Sequence, residues 1–127
     1  MSNFAVIVAA GKGERIGLPE KVLLPIAGEP ALIHSLRAAL ASRSITGVVI
    51  VAGVHTRSSI EGLVSTIEAS KPVRVVEGGA RRQDSVLVGV ETARELGATH
   101  VAVHDGARPL VRSGLFDATI EAAIEFG

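Results

Sequence analysis

FAVIVAAGKG, residues 4–13, is an unbroken apolar run that stops at glycines and a lysine. A short apolar stretch without polar alternation suits a strand buried on both faces. The pattern recurs in GVVIVA (47–52), and VRVV (73–76) and THVAVH (99–104) read as the third and fourth strands. Between these runs the spacing turns helical. After Pro30, placed as the first residue of a helix, come Leu32, Ile33, Leu36 and Leu40. SSIE (58–61) has capping-box spacing and precedes Leu63, Val64 and Ile67. Asp84 reads as the cap of a helix whose inner face carries Val86, Leu87, Val90, Ala93 and Leu96, with Gly97 as its stop. Ser113 opens a last helix through Phe116, Ile120 and Ile124. Strands alternating with helices predict an α/β fold, a doubly wound and mostly parallel sheet with right-handed crossovers.

Composition agrees. The 127 residues are 47% apolar and 2% aromatic, without Trp or Tyr, so the core is aliphatic, as in parallel sheets covered by alanine-rich helices. The absence of cysteine excludes a disulfide scaffold and thiolate metal sites. Thirteen basic and thirteen acidic residues leave no net charge to recruit nucleic acid or an anionic membrane. No run is long enough to span a bilayer, and no basic leader precedes the first apolar run, so a cytoplasmic protein is expected.

Ligands of such sheets bind at the carboxyl ends of the strands, which selects the loops after residues 9, 76 and 104. The first holds Gly11, Gly13 and Gly17 with Lys12, Arg15 and Lys21, a combination suited to a polyphosphate. It is not a dinucleotide fingerprint, because Ile16 stands where the third glycine belongs and Pro19 and Pro25 interrupt. Nor is it a Walker A loop, since Leu18 and Pro19 follow Gly17. The second, EGGARRQDS (77–85), offers Gly78 and Gly79 for close backbone approach, and Ser85 with free amides in the first helical turn. The third, HDGARP (104–109), places Asp105 directly after a strand, where a carboxylate suits hydrated Mg²⁺ or a substrate hydroxyl. Arg108 adds a planar donor fork there. His104 reads as a packed strand-end residue, and the scattered His34, His55 and His100 compose no zinc site. No G-x-S-x-G elbow occurs.

Taken in order, AAGKGERIGLPEKVLLPIAGEPALIHSL (9–36), EGGARRQDSVLVGV (77–90) and VAVHDGARPLV (101–111) resemble the 2-C-methyl-D-erythritol 4-phosphate cytidylyltransferase family. The resemblance implies a Rossmann-like nucleotidyltransferase fold and cytidylyl transfer from CTP to a sugar-alcohol phosphate, with Mg²⁺ and release of pyrophosphate. By the same resemblance Arg15 and Lys21 are the catalytic cations, and Ala9, Ala10, Gly11, Lys12 and Gly13 line the nucleotide. Gly79 and Ser85 match the cytosine-recognising positions. Asp105 lies beside the metal and acceptor, and Arg108 orients the acceptor. Ala80 departs from the pattern, since many members carry Asp there. The family's members are longer, so residues 1–127 are expected to be the nucleotide-binding portion of one cytidylyltransferase domain, homodimeric at full length, with an exposed sheet edge here. Ribitol-5-phosphate cytidylyltransferase shares the loops. Sugar-1-phosphate, guanylyl and molybdopterin-type nucleotidyltransferases share a similar first loop, and a nucleotide-binding domain without turnover is a further alternative.

Overall fold

The computed structural model describes residues 2–9, 25–26, 29–105 and 118–122. Its elements are β1 (Asn3–Ala9), β2 (Pro25–Ile26), β3 (Glu29–Pro30), α1 (Ala31–Ala41), β4 (Gly47–Ala52), α2 (Arg57–Ser65), β5 (Val73–Glu77), α3 (Arg82–Glu95) and β6 (His100–Asp105). The main sheet has four strands in the order β5-β4-β1-β6, and every pairing in it is parallel. β1 is central and buried along its whole length, as its apolar run predicts.

The direction of each crossover follows from this order. From β1 the chain steps outward through β4 to β5, then returns past β1 to β6. Right-handed connections running in opposite directions must lie on opposite faces of the sheet. The core divides accordingly. On one face Ala5, Ile7, Val48 and Ile50 pack with Leu32 and Leu36 of α1, Ile60 of α2, and Ile120 from the helical residues 118–122. On the other face Phe4, Val6, Val8, Val49 and Val51 pack with Ala93 and Val86 of α3. Each fully buried Ile, Leu or Val contributes roughly 1.5–3 kcal/mol.

α3 rests close on the sheet because of Gly89, where a Cβ would collide with the Val6 and Val51 side chains. Both neighbours are β-branched and held in the core, so neither yields by changing rotamer. This seat determines which residues of α3 turn inward: Ser85, Gly89 and Ala93 are buried, whereas Leu87 is 57% exposed and Leu96 37% exposed. Leu87 and Leu96 therefore do not belong to the inner face expected from the sequence. Small residues occupy the contact line, and the larger apolar ones sit beside it or outside. Val103 of the edge strand β6 is also 41% exposed.

Local polar bonds replace several of the expected caps. α2 begins at Arg57 after Thr56, so SSIE is not its capping box. The Thr56 hydroxyl instead accepts from the Gly53 amide at 3.1 Å, closing the turn that leaves β4. α3 begins after Arg81, and Asp84 caps it from the third helical position, its carboxylate accepting from the Arg81 amide at 3.2 Å, and not as the residue before the helix. Pro30 pairs with Pro25 in an antiparallel two-stranded ribbon and precedes α1, whose first residue is Ala31. That ribbon lies in the stretch expected to lack regular structure; its signal is the pair of prolines flanking IAGE. Gly97 ends α3 as expected, with φ +96°. The expected helix start at Ser113 and its apolar Phe116 and Ile124 lie outside the described residues.

Gly89→Ala is expected to destabilise the protein by about 1–3 kcal/mol through overpacking. Gly62→Ala, at an α2 position where a Cβ meets nothing within 4 Å, should stabilise it by up to about 1 kcal/mol. Urea unfolding of the two variants should shift the midpoint in opposite directions.

Candidate nucleotide site at the carboxyl edge of the sheet

The strand register assembles the candidate site. Ala9, Ala52 and Glu77 form a row at the carboxyl ends of β1, β4 and β5, and Asp105 at the end of β6 pairs with Val8. With strands about 4.8 Å apart, the exits of β5 and β6 are separated by roughly 15 Å across this rim. Chain reversal occurs between β1 and β6, the switch point at which open α/β sheets leave a crevice.

β4, between β1 and β5, has the backbone at its exit paired. Its last carbonyl, Ala52 O, accepts from Gly78 N at 2.8 Å, and the following turn is held by Thr56 N and Arg57 N donating to Gly53 O at 3.1 and 2.9 Å. The first of these bonds continues the parallel pairing of β4 and β5 by one residue beyond Glu77. Sequence inspection did not identify this bond, and a Gly-Gly pair by itself does not reveal which carbonyl its amide will meet.

Gly79 and Ser85 lie together, and the Ser85 hydroxyl and amide, expected to face a ligand, are both bonded within the protein. Ser85 is buried, and its hydroxyl donates to Gly79 O at 3.5 Å. Its amide is not free, because Ser85 N donates to Arg81 O at 3.1 Å, the first bond of the helix. Gly79 is exposed, and among the described residues no acceptor takes its amide proton. Gly79 is thus the exposed member of the pair and Ser85 the buried one.

Asp84 holds this arrangement in place. Its Oδ2 accepts from Arg81 N at 3.2 Å and from Arg81 Nε at 3.3 Å, tying the first turn of α3 to the loop. A Cβ on Gly79 would collide with the Asp84 Cβ, so the glycine is required by packing as well. The Arg81–Asp84 ion pair is exposed, and salt screening leaves it worth about 0–1 kcal/mol.

Ala9 ends β1 with its side chain buried, so only its backbone can face a nucleotide. Asp105 is the last residue of β6 and does not follow the strand as expected. His104 is buried beside it, consistent with a packed strand-end residue. Ala10, Gly11, Lys12, Gly13, Arg15, Lys21 and Arg108 lie outside the described residues. A groove of about 400 Å³ lined by Arg37, Leu40, Ala41, Thr66, Ile67 and Glu68 lies at the C-terminal ends of α1 and α2, away from this rim. Among the described residues no cluster of three His, Asp or Glu could hold a metal by itself, and no helix is long and apolar enough to cross a membrane.

Known proteins with this sequence and architecture place the chain. The family model described as 2-C-methyl-D-erythritol 4-phosphate cytidylyltransferase matches residues 3–126. The chain belongs to that family. It is 42% identical over 113 residues to the enzyme of that name from Synechococcus elongatus, covering 88% of this chain and 48% of that protein. The counterpart from Prochlorococcus marinus is 42% identical over 120 residues, covering 94% of this chain and 52% of the other. The chain thus spans about half the length of these cytidylyltransferases. In fold it is similar to a 4-diphosphocytidyl-2C-methyl-D-erythritol synthase from Anaerococcus prevotii, with TM-score 0.77 at 24% identity over 98% of this chain and 52% of that one. It also resembles a CMP:2-keto-3-deoxy-manno-octonic acid synthetase solved with CTP, with TM-score 0.72 at 18% identity over 99% of this chain and 48% of that one. The doubly wound parallel sheet is therefore a nucleotidyltransferase fold, and the family is a family of cytidylyltransferases.

Ser85→Ala is expected to cost under about 1 kcal/mol, because it removes one long hydrogen bond and leaves the acceptor on an exposed residue. Ser85→Leu should cost about 1–3 kcal/mol by forcing bulk into a filled position. Denaturant unfolding of the two variants distinguishes a lost bond from a packing constraint.

Proposed function

We propose that the chain is the nucleotide-binding portion of a single cytidylyltransferase domain that transfers the cytidylyl group of CTP to 2-C-methyl-D-erythritol 4-phosphate. The observation that carries this reading is the alignment of the Ala9, Glu77 and Asp105 strand ends along one rim at the sheet's switch point, in a chain of this family. In this reading the acceptor phosphate oxygen attacks the α-phosphorus of CTP, the bond from that phosphorus to the bridging oxygen breaks, and pyrophosphate leaves. No covalent enzyme intermediate is needed, so positioning and charge neutralisation carry the catalysis.

The base is assigned to the loop after β5, through the Gly79 backbone backed by Ser85. The triphosphate is assigned to the segment after β1, with backbone from Ala9, Ala10, Gly11 and Gly13 and with Lys12 nearby. Arg15 and Lys21 supply the positive charge for the pentavalent phosphorus and the departing pyrophosphate. Arg108 orients the acceptor, and Asp105 holds the acceptor hydroxyls and the metal. A lone carboxylate suits Mg²⁺, which is commonly bound through one or two carboxylates and substrate phosphates while keeping several waters. When bound, Mg²⁺ would neutralise charge on the triphosphate. As the family resemblance implies, the protein of this reading is a cytoplasmic homodimer of the non-mevalonate isoprenoid route. The balanced formal charge supports its taking no nucleic acid.

Calorimetric titration with CTP, UTP and ATP in Mg²⁺ tests the reading. CTP should bind at least about tenfold more tightly than either comparator, a difference of about 1.4 kcal/mol. Lys21→Ala and Arg15→Ala should each weaken CTP by roughly 10–100-fold, the value of one charge-assisted hydrogen bond. Equal binding of the nucleotides by the folded protein would overturn the cytidylyl reading.

A further inference from the structure

We propose that Asp84 is a positioning residue for base recognition, acting through the backbone of Gly79. The inference rests on the nucleotide reading above and assigns a role to a side chain that does not itself face the ligand. The loop from Gly78 to Arg81 is held at both ends. At its start Gly78 N is bound to Ala52 O at 2.8 Å. At its end Asp84 Oδ2 accepts from Arg81 N and Arg81 Nε at 3.2 and 3.3 Å. Between these anchors the Gly79 α-carbon rests against Asp84 so closely that any side chain there would collide with the Asp84 Cβ. The Ser85 hydroxyl meets Gly79 O from below at 3.5 Å.

Gly79 is thus positioned by contact with the Asp84 Cβ, while the Asp84 carboxylate, by accepting from Arg81, fixes the end of the same loop. A pyrimidine that can donate from its amino group or accept at its ring edge is distinguished by where peptide groups stand, and a shift of a few tenths of an ångström alters that geometry. Asp84 therefore determines discrimination between bases without touching the base. Its ion pair with Arg81 is exposed and adds little, so the essential component is acceptance from the Arg81 amide. Asn at position 84 retains an acceptor of the same shape, and Ala does not.

The test measures CTP, UTP and inorganic tripolyphosphate binding by calorimetry in Mg²⁺, with circular dichroism to establish folding. Asp84→Ala is expected to weaken CTP about tenfold and to lower the CTP-over-UTP ratio by a similar factor, leaving tripolyphosphate within about twofold. Asp84→Asn should restore the ratio. Gly79→Ala, which displaces the same backbone from the other side, should reproduce the Asp84→Ala pattern and carries the test if that variant does not fold.

An unchanged CTP-over-UTP ratio in folded Asp84→Ala overturns the proposal, as does equal weakening of tripolyphosphate, which marks a general loss of structure. Failure of Asp84→Asn to restore the ratio overturns it by showing that charge is required. If the unmodified protein shows no preference for CTP, the nucleotide reading itself falls and this inference with it. A preference that survives Asp84→Ala removes only the inference.

Discussion

Burial of β1 on both faces and pairing along both of its edges is the constraint on which the rest of the structure depends. Its backbone groups are satisfied by β4 on one side and β6 on the other, so NFAVIVA can lie at the centre of the sheet with its polar backbone paired. This pairing holds the end of β1 against the ends of its neighbours, and the register fixes which residues share the rim. Because β1 is also the strand around which the chain reverses direction, the same burial that stabilises the core brings the strand ends at Ala9 and Asp105 side by side at the switch point.

The two helical layers serve the site differently. α1 and α2 cover one face through large aliphatic side chains such as Leu32, Leu36 and Ile60. α3 approaches the other face through small residues, and Gly89 sets the closeness of that approach. Since α3 follows the loop after β5, its seat on Val6 and Val51 also determines where its first turn stands relative to the rim. A glycine in the middle of the helix is thus linked through a rigid element to the position of Gly79. Packing and site geometry here share a cause.

The fold was legible because its signals are local. FAVIVA and GVVIVA lack polar alternation and are buried, and the helices between strands follow from the spacing of Leu32, Ile33 and Leu36 and from the stop at Gly97. The misreadings were local as well. Ser58 has the right chemistry for a cap, but Thr56 precedes α2; Asp84 does cap α3, from its third position and through the Arg81 amide, with Arg81 as the residue before the helix. Leu87 and Leu96 match helical spacing but are exposed, because the close seat at Gly89 turns a line of small residues toward the sheet. Of the candidate site, Gly79, Ser85, Ala9 and Asp105 fall at the carboxyl edge, where parallel strands ending in polar loops place them.

By itself the sequence determined the four strands of the main sheet, the helices between them and the candidate loops at the strand ends, because apolar periodicity and glycine placement express each segment's own demand for burial and turning. Only the tertiary structure decided the order β5-β4-β1-β6, the bond from Gly78 N to Ala52 O, and the contact between Gly79 and Asp84. Those features depend on the direction of each crossover and on which backbone groups meet after packing. They are relations between segments, and no segment carries them alone.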